Sequence, residues 1–513
     1  MQTYLAIKNK RKLFLIILLA SLTPSINSLE FFESLIPYPA EIEIFAGKYK
    51  LSDAPIISYS KDARSVAKFL AEKLQLGTEE KIYIAENAGQ ADIRLELDFP
   101  ESKYGKEGYR ITINGDGGSI SASANAGLFY GCQTLLQMIN PKALNPVDHP
   151  NNETLTLPFC IINDKPRFEW RGVMLDVARH FFSVKDVKRF IDLIAMHKLN
   201  RLHLHLTDDQ GWRIWINSWP DLAQIGGSAE VGGGDGGYYS REEFMEIVDY
   251  AGSRFVEIIP EIEMPGHINA ALASYPELNH NGVPPSLYEG TNVGFSCLTI
   301  NNEITYKFVR DAIREIASLS PSTYIHIGGD EVFNQNGKDY AYFISQVQDI
   351  VLSIGKIMIG WEEISKTRLD DSTIVQFWKN PILVENAIRQ GIKIILTPSC
   401  FTYLDMKYDA NTPLGQDWAG YIDTKKAYCW FPIIEKYNGK DVFGIEAAIW
   451  SEFIYTIEDL EFMAFPRLAG IAEIAWSPQE KLNWISYKKR LSTHGKRLET
   501  YNINFYRSAL IDW

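Results

Sequence analysis

The stretch Tyr324-Ile325-His326-Ile327-Gly328-Gly329-Asp330-Glu331 sets the pattern for most of this 513-residue chain. A short β-forming run, residues 324–327, exits through two glycines and then presents two adjacent carboxyl groups. The same unit recurs on both sides of it. Runs rich in β-branched and other apolar residues at 172–177, 201–206, 256–261, 324–327, 357–360, 374–377, 393–396 and 444–449 alternate with longer helical stretches. Two of those helices carry start signals, Ser183 with Asp186 and Ser240 with Glu243, each spaced as a capping box. Eight βα units in succession predict a (β/α)8 TIM barrel over residues 167–513 rather than an open doubly wound sheet. The glycine cluster Gly232-Gly233-Gly234-Asp235-Gly236-Gly237 follows no strand, so it is a loop and not a dinucleotide fingerprint.

Upstream, residues 29–166 mix short strands (81–85, 93–97, 109–113, 119–124) with helices (63–74, 126–139), and Asp116-Gly117-Gly118 turns one strand into the next. The expectation is a small α/β domain preceding the barrel. Before it, Lys8, Lys10, Arg11 and Lys12 lead into the apolar run 13–20 and then small and polar residues through Ser28, the three-part arrangement of a signal peptide over residues 1–28. That run is far shorter than the ~20 residues a membrane span needs, and no other segment reads as a stable span. Asn152-Glu153-Thr154 is a glycosylation sequon consistent with export, so Asn152 is a candidate glycosylation site. These signals place the chain in the secretory pathway, bound for the lysosome or the extracellular space. The five cysteines have no short paired spacing, which argues against a zinc cluster, while export leaves room for one or two disulfides. A net charge of -13 argues against nucleic acid or an anionic membrane surface as a partner.

In a TIM barrel the chemistry lies where the strands end. In chain order the strand exits carry Arg179 and His180; Asp208 and Asp209; Glu263 and His267; Asp330 and Glu331; Trp361 and Glu362; Trp378; Tyr403 and Asp405; and Trp450 and Glu452. Carboxylates that accept from hydroxyls, together with indoles that cover the apolar faces of a pyranose, are what a sugar site needs. Two adjacent carboxyl groups oppose each other's ionisation, so Asp330 and Glu331 can divide an acid role from an anionic one. An acidic pair at a helix N-terminus is the plainer reading of the same residues. His203-Leu204-His205 raises a different chemistry, a metal-dependent barrel hydrolase, because histidines at i and i+2 on a strand can share a metal. Leu206 and Thr207 still separate them from Asp208, which favours packed, hydrogen-bonded histidines in the strand body. His267 on its own is as well explained by a loop as by a site, and Trp361, Trp378, Trp418 and Trp450 by core packing as by sugar stacking.

Taken in order, Arg171-Gly172 with Leu175-Asp176 and Arg179-His180, His203-Leu204-His205-Leu206-Thr207-Asp208-Asp209-Gln210, Pro265-Gly266-His267, His326-Ile327-Gly328-Gly329-Asp330-Glu331, Trp361-Glu362-Glu363, Tyr403-Leu404-Asp405 and Trp450-Ser451-Glu452 resemble the β-N-acetylhexosaminidases of glycoside hydrolase family 20, eukaryotic lysosomal or secreted type. The resemblance implies a retaining exo-glycosidase that removes terminal β-linked N-acetylglucosamine or N-acetylgalactosamine, with the substrate's own acetamido group as nucleophile. It implies Glu331 as general acid and base, Asp330 on the acetamido N–H, Tyr403 on the acetamido oxygen, and Asp208 with His267 supporting Glu331. Arg179 and Glu452 would bind hydroxyls, while Trp361, Trp378, Trp418 and Trp450 would wall the pocket. An anionic Asp405 near the 6-position is similar to forms acting on neutral sugars. The implied partner is a carbohydrate; no cofactor or metal is implied, and dimerisation in the eukaryotic family makes a homodimer one expectation. A carbohydrate-binding protein without catalysis, and the metal-dependent hydrolase using His203 and His205, are the alternatives.

Overall fold

The computed structural model describes residues 32–144, 155–333, 335–430, 436–437 and 441–513; the expected signal peptide and Asn152 lie outside them. The described residues divide into two compact units, one formed by those up to 166 with 480–502 and 511–513, the other by those of 167–479 with 503–510.

In the first unit, strands β1 (Glu41–Lys50), β2 (Ile56–Tyr59), β3 (Tyr83–Glu86), β4 (Ile93–Glu96), β5 (Tyr109–Asn114), β6 (Gly117–Ala122) and β7 (Thr156–Asp164) form one sheet in the order β1-β7-β5-β6-β4-β2-β3. Pairing is antiparallel from β1 to β6 and parallel from β6 to β3. Alternation decides which face is inside: Tyr109, Ile111 and Ile113 of β5 are buried while Arg110 and Asn114 are exposed. The helices Arg64–Gln75 and Asn125–Met138 cover that sheet with Val66, Ala67, Leu70 and Leu74 of the one and an almost wholly buried run of the other. Buried Asp92 ties the β1–β2 connection by accepting from the Ser52 and Ile56 amides at 2.7 and 2.9 Å.

The second unit is a closed barrel of eight parallel strands, β8 (Trp170–Asp176), β9 (Arg201–His205), β10 (Glu257–Glu261), β11 (Tyr324–His326), β12 (Ile357–Trp361), β13 (Ile374–Phe377), β14 (Lys393–Leu396) and β15 (Val442–Ile449). All eight expected strands are present, and both expected capping boxes form, Ser183 with Asp186 and Ser240 with Glu243. One layer of the barrel interior is apolar, built by Trp170, Ile259, Ile359, Ile374, Ile395 and Phe443. Toward the C-terminal ends of the strands the filling changes character. Glu446 accepts from Trp170 Nε1 at 2.7 Å and Gln376 Nε2 at 2.9 Å, and lies 2.9 Å from His203 Nδ1. A side chain at Gly172 would place its Cβ 2.3 Å from a Glu446 oxygen, so the glycine makes room for that carboxylate.

The division departs from the expected barrel span 167–513 at its C-terminal end. The helix Trp484–Thr500 belongs to the first unit because its buried cations need acceptors found there: Arg490 donates to the Leu35 carbonyl at 2.7 Å, and Arg497 to those of Leu136, Gln137 and Ile139 at 3.1, 2.8 and 2.9 Å. The room that export leaves for one or two disulfides is not used: all five cysteines are free. Cys160 faces Met138 across 4.0 Å, and Cys297 accepts from Gln335 at 3.4 Å. Among the described residues no helix is long and apolar enough to cross a membrane.

Candidate active site

The exits of β8, β9, β10, β11, β13 and β15, with the loops after β14, enclose a cavity of about 280 Å³ lined by residues that include Arg179, Asp208, Glu263, His267, Asp330, Glu331, Trp378, Tyr403, Trp418, Trp450 and Glu452. The loop after β11 delivers the two carboxyl groups through backbone that few side chains tolerate. Gly328 and Gly329 have φ of +66° and +97°, and Glu331 itself sits at φ +47°. His267, which faces them, has φ +50°. Two non-glycine residues of one site held in the left-handed region mark strain that the surrounding packing sustains. The Tyr340 hydroxyl, donating to the Gly329 carbonyl at 2.6 Å, is part of that packing.

His267 connects the two carboxyls to the wall behind them. Its Nε2 lies 3.5 Å from Glu331 Oε2 and 3.8 Å from Asp330 Oδ2, while its Nδ1 lies 3.2 Å from Asp208 Oδ1. Burial alone would lower the His267 pKa, but Asp208 and Asp330 raise it well above the ordinary value, so the ring is cationic. Asp208 responds in the opposite sense. Burial pushes it up, yet the Arg179 guanidinium at 2.8 Å together with His267 and His205 holds it far below the usual carboxylate range. Asp330 is raised to about 7, chiefly by burial and then by the carboxyl groups of Glu363 and Glu331, against the pull of His267. Glu263, whose oxygens have no hydrogen-bond partner, is pushed well above its ordinary value by burial and by Asp330.

The opposite side is aromatic. Tyr403 stacks on Trp378 at 6.4 Å and meets Trp418 and Trp450 at 5.9 and 6.1 Å. Glu363 accepts from Trp378 Nε1 at 3.2 Å, and Arg179 lies 4.9 Å over the Trp450 ring. Trp418 is 48% exposed and so forms the rim, whereas Trp378 is buried. Acids and a histidine facing an aromatic wall, with Arg179 and Glu452 in the same cavity, suit a small polyhydroxylated ligand carrying one apolar group.

Residues 168–479 match the catalytic domain of glycosyl hydrolase family 20, and residues 33–165 match domain 2 of that family. The chain belongs to glycosyl hydrolase family 20. It is a glycoside hydrolase, a β-N-acetylhexosaminidase. A β-N-acetylhexosaminidase of Cellulomonas fimi is 38% identical over 426 residues, covering 82% of this chain and 84% of that one. The Streptomyces plicatus N-acetyl-β-hexosaminidase, solved in complex with thio-NAglucal, superposes with a TM-score of 0.91 at 43% identity, covering 94% of this chain and 98% of that one. The family 20 β-N-acetylhexosaminidase of Streptomyces coelicolor gives 0.90 at 42% identity, covering 94% and 99%. These relatives are bacterial, and a β-hexosaminidase of Arabidopsis thaliana stands at 29% identity over 410 residues, so the expected eukaryotic lysosomal type is not supported.

Of the residues singled out from the sequence of this family 20 member, ten line the cavity: Arg179, Asp208, His267, Asp330, Glu331, Trp378, Tyr403, Trp418, Trp450 and Glu452. Trp361 and Asp405 do not. Trp361 is buried, donates to Glu261 at 3.0 Å and packs on Trp450 at 5.9 Å, which puts it one layer beneath the surface of the cavity. Asp405 is buried too, with no hydrogen-bond partner on either oxygen, and its pKa is raised well above the ordinary value by burial and by Glu452. Glu263, Thr291, Val293, Lys379 and Gln416 line the cavity without having been assigned a role. Glu263 was visible as a strand-exit carboxyl, whereas Thr291, Val293 and Gln416 sit in long loops without periodicity. His203 and His205 lie in the strand body, where each has both ring nitrogens within 3.1 Å of carboxylate oxygens. Against the burial that lowers them, those carboxylates raise His203 to about 9 and His205 to about 10, so both act as ion-paired rings in the strand body.

A Cβ on Gly328 would lie 1.7 Å from Glu263 Oε2. Gly328→Ala is therefore expected to lose at least about 1 kcal/mol of stability from the positive φ alone and to displace Asp330 and Glu331. Glycosidase assay and thermal unfolding of the variant should show both losses; wild-type activity would mean that the loop does not depend on this glycine.

Proposed function

We propose that the cavity hydrolyses the bond to a terminal β-linked N-acetylglucosamine or N-acetylgalactosamine with retention, the substrate's acetamido oxygen acting as nucleophile. The observation that carries this reading is the arrangement of Asp330 and Glu331 around one cationic His267, facing Tyr403 and the tryptophan wall. The acetamido oxygen attacks the anomeric carbon as the glycosidic C–O bond breaks, and Glu331 delivers a proton to the leaving oxygen. Asp330 accepts the acetamido N–H and offsets the positive charge growing there, while the Tyr403 hydroxyl donates to the acetamido oxygen. Glu331 then takes a proton from the water that opens the cyclic intermediate. Arg179 and Glu452 bind the ring hydroxyls; one Glu452 oxygen is buried without a partner and available to a hydroxyl donor.

Release of 4-nitrophenol from its N-acetyl-β-glucosaminide is expected to be insensitive to chelators. In Glu331→Gln it should fall by about 10²- to 10⁴-fold, the usual contribution of general acid–base transfer. A chelator-sensitive activity that survives the substitution would favour the metal reading, and binding of the sugar without any turnover would favour the non-catalytic one.

Asp330 must be ionised to accept the acetamido N–H. Because its pKa is raised, protonation reaches it at a higher pH than an ordinary aspartate, and kcat/KM, which reports the free enzyme, should fall on acidification through that range. The acidic limb of the profile should disappear from the residual activity of Asp330→Asn; an unchanged limb would assign it to another group.

A sulfate ester at the 6-position would bring an anion into a partly dehydrated pocket beside the carboxyl group of Glu452, at a Coulomb cost. Unsulfated substrates are therefore expected to be preferred, and comparable turnover of a 6-sulfated N-acetylglucosaminide would overturn this preference.

A further inference from the structure

The reaction just described makes no use of a buried carboxylate on β10, Glu261. Its two oxygens meet four ring nitrogens. Oε1 lies 2.7 Å from His326 Nδ1 and accepts from Trp361 Nε1 at 3.0 Å, while Oε2 lies 2.5 Å from His205 Nδ1 and 3.0 Å from His203 Nε2. Those rings come from β9, β11 and β12. Two of the four contacts lead outward to the cavity. His205 Nε2 lies 3.1 Å from Asp208 Oδ2, Asp208 Oδ1 lies 3.2 Å from His267 Nδ1, and His267 Nε2 lies 3.5 Å from Glu331 Oε2. On the other branch Trp361 packs on Trp450 and shares an apolar cluster with Trp378 and Tyr403.

We propose that Glu261 is a positioning residue for both halves of the reaction, orienting Glu331 through His205, Asp208 and His267, and orienting the acetamido-binding aromatic wall through Trp361. The proposal rests on the functional reading above. Of the four nitrogens, His205 Nδ1 and Trp361 Nε1 are in hydrogen-bond geometry with the carboxylate, one on each oxygen, so Glu261 cannot turn without breaking a contact in one branch or the other. Along the first branch the groups alternate anion, cation, anion, cation before reaching Glu331. His205, with a carboxylate on each nitrogen, has no freedom of tautomer.

Other titratable groups face this line: Glu263 from the exit of β10, 3.9 Å from His205 Nδ1; Asp176 and Arg179 from the end of β8; Glu446 from β15 beyond His203; Asp209 beside His267; and Asp330. Glu261→Gln replaces an accepting oxygen with an amide NH₂ that opposes the donors around it, and it removes the nearest anion from His205. His205, otherwise charged up to about 10, would then lose its proton at a lower pH. The sign follows. Below that new pKa Asp208 keeps a cation on each side, and above it Asp208 loses one of them, so kcat of the variant should fall as pH rises through a range where wild type is flat.

The test is kcat and KM of the full chain on the nitrophenyl N-acetyl-β-glucosaminide from about pH 4 to about pH 9, where carboxylate and histidine roles separate, together with inhibition by N-acetylglucosamine and thermal unfolding. For Glu261→Gln we expect kcat lower by about 10- to 100-fold, in line with the ~10²-fold cost of misplacing a reacting group by an ångström. Its basic limb should move to lower pH, and N-acetylglucosamine should inhibit less. The branches can also be cut singly. His205→Gln should lower kcat and alter the basic limb while sparing N-acetylglucosamine inhibition; Trp361→Phe, which keeps a ring but loses the N–H, should weaken that inhibition and leave the limb in place. These two variants decide the matter if Glu261→Gln does not fold. A folded Glu261→Gln with wild-type kcat and pH profile, or the same undifferentiated loss in both single-branch variants, overturns the proposal. A wild-type chain that releases no nitrophenol overturns the functional reading itself, and this proposal with it.

Discussion

A carboxylate inside a barrel has no water to hydrate it, so it survives as an anion only if the protein supplies enough donors. Glu261 meets that condition by accepting from Trp361 Nε1 and His205 Nδ1, with His203 and His326 alongside, and the three histidines overrule burial to leave its pKa well below the ordinary value. Much around it follows from this balance. His203 and His205 stay cationic because each lies between two carboxylates, Glu261 and Glu446 for His203, Glu261 and Asp208 for His205, and Glu446 also accepts from Trp170 and Gln376. One layer of the barrel is an ordinary apolar core, and the layer beneath the site is a set of ionised groups whose charges answer one another.

That layer explains why neighbouring carboxyl groups at the mouth titrate so differently. Asp208 has Arg179, His205 and His267 against it and remains an anion. Glu263 and Asp330 share the same buried surroundings without a strong partner of their own, and both are pushed toward the protonated form. Carboxyl groups a few ångströms apart thus differ in how readily they ionise through differences in partnering, without any difference in residue type.

The fold was largely legible because each barrel strand leaves a mark in one dimension: a short β-rich run, a charged or aromatic exit, a capped helix. The eight runs could be counted without knowing which residues touch. β1, β2 and β7 were missed, although Glu41-Ile42-Glu43-Ile44 alternates clearly: β1 and β7 pair across more than a hundred residues of chain, and β2 is a four-residue strand whose partners are β3 and β4. At the site, residues standing directly at strand exits were legible, and depth was not. Trp361 and Asp405 share motifs with cavity-lining residues yet lie beneath them. His203 and His205 showed the reverse difficulty, since their spacing suits a metal and only the structure shows a carboxylate oxygen close to every one of their ring nitrogens.

The strained loop links these levels. Gly328 and Gly329 adopt positive φ, and the first of them lies against Glu263 so closely that no Cβ fits. The glycines that made 324–331 readable as a strand exit are therefore there for the carboxyl they accommodate as much as for the turn they make. With Glu263 filling the space, the chain must carry Asp330 and Glu331 past it and up to His267, whose ring is held from behind by Asp208. The short spacing between strand end and acid pair is thus set from both sides, by a buried carboxyl below and a buried imidazolium opposite, and the left-handed φ of Glu331 is the conformation left to the backbone between them.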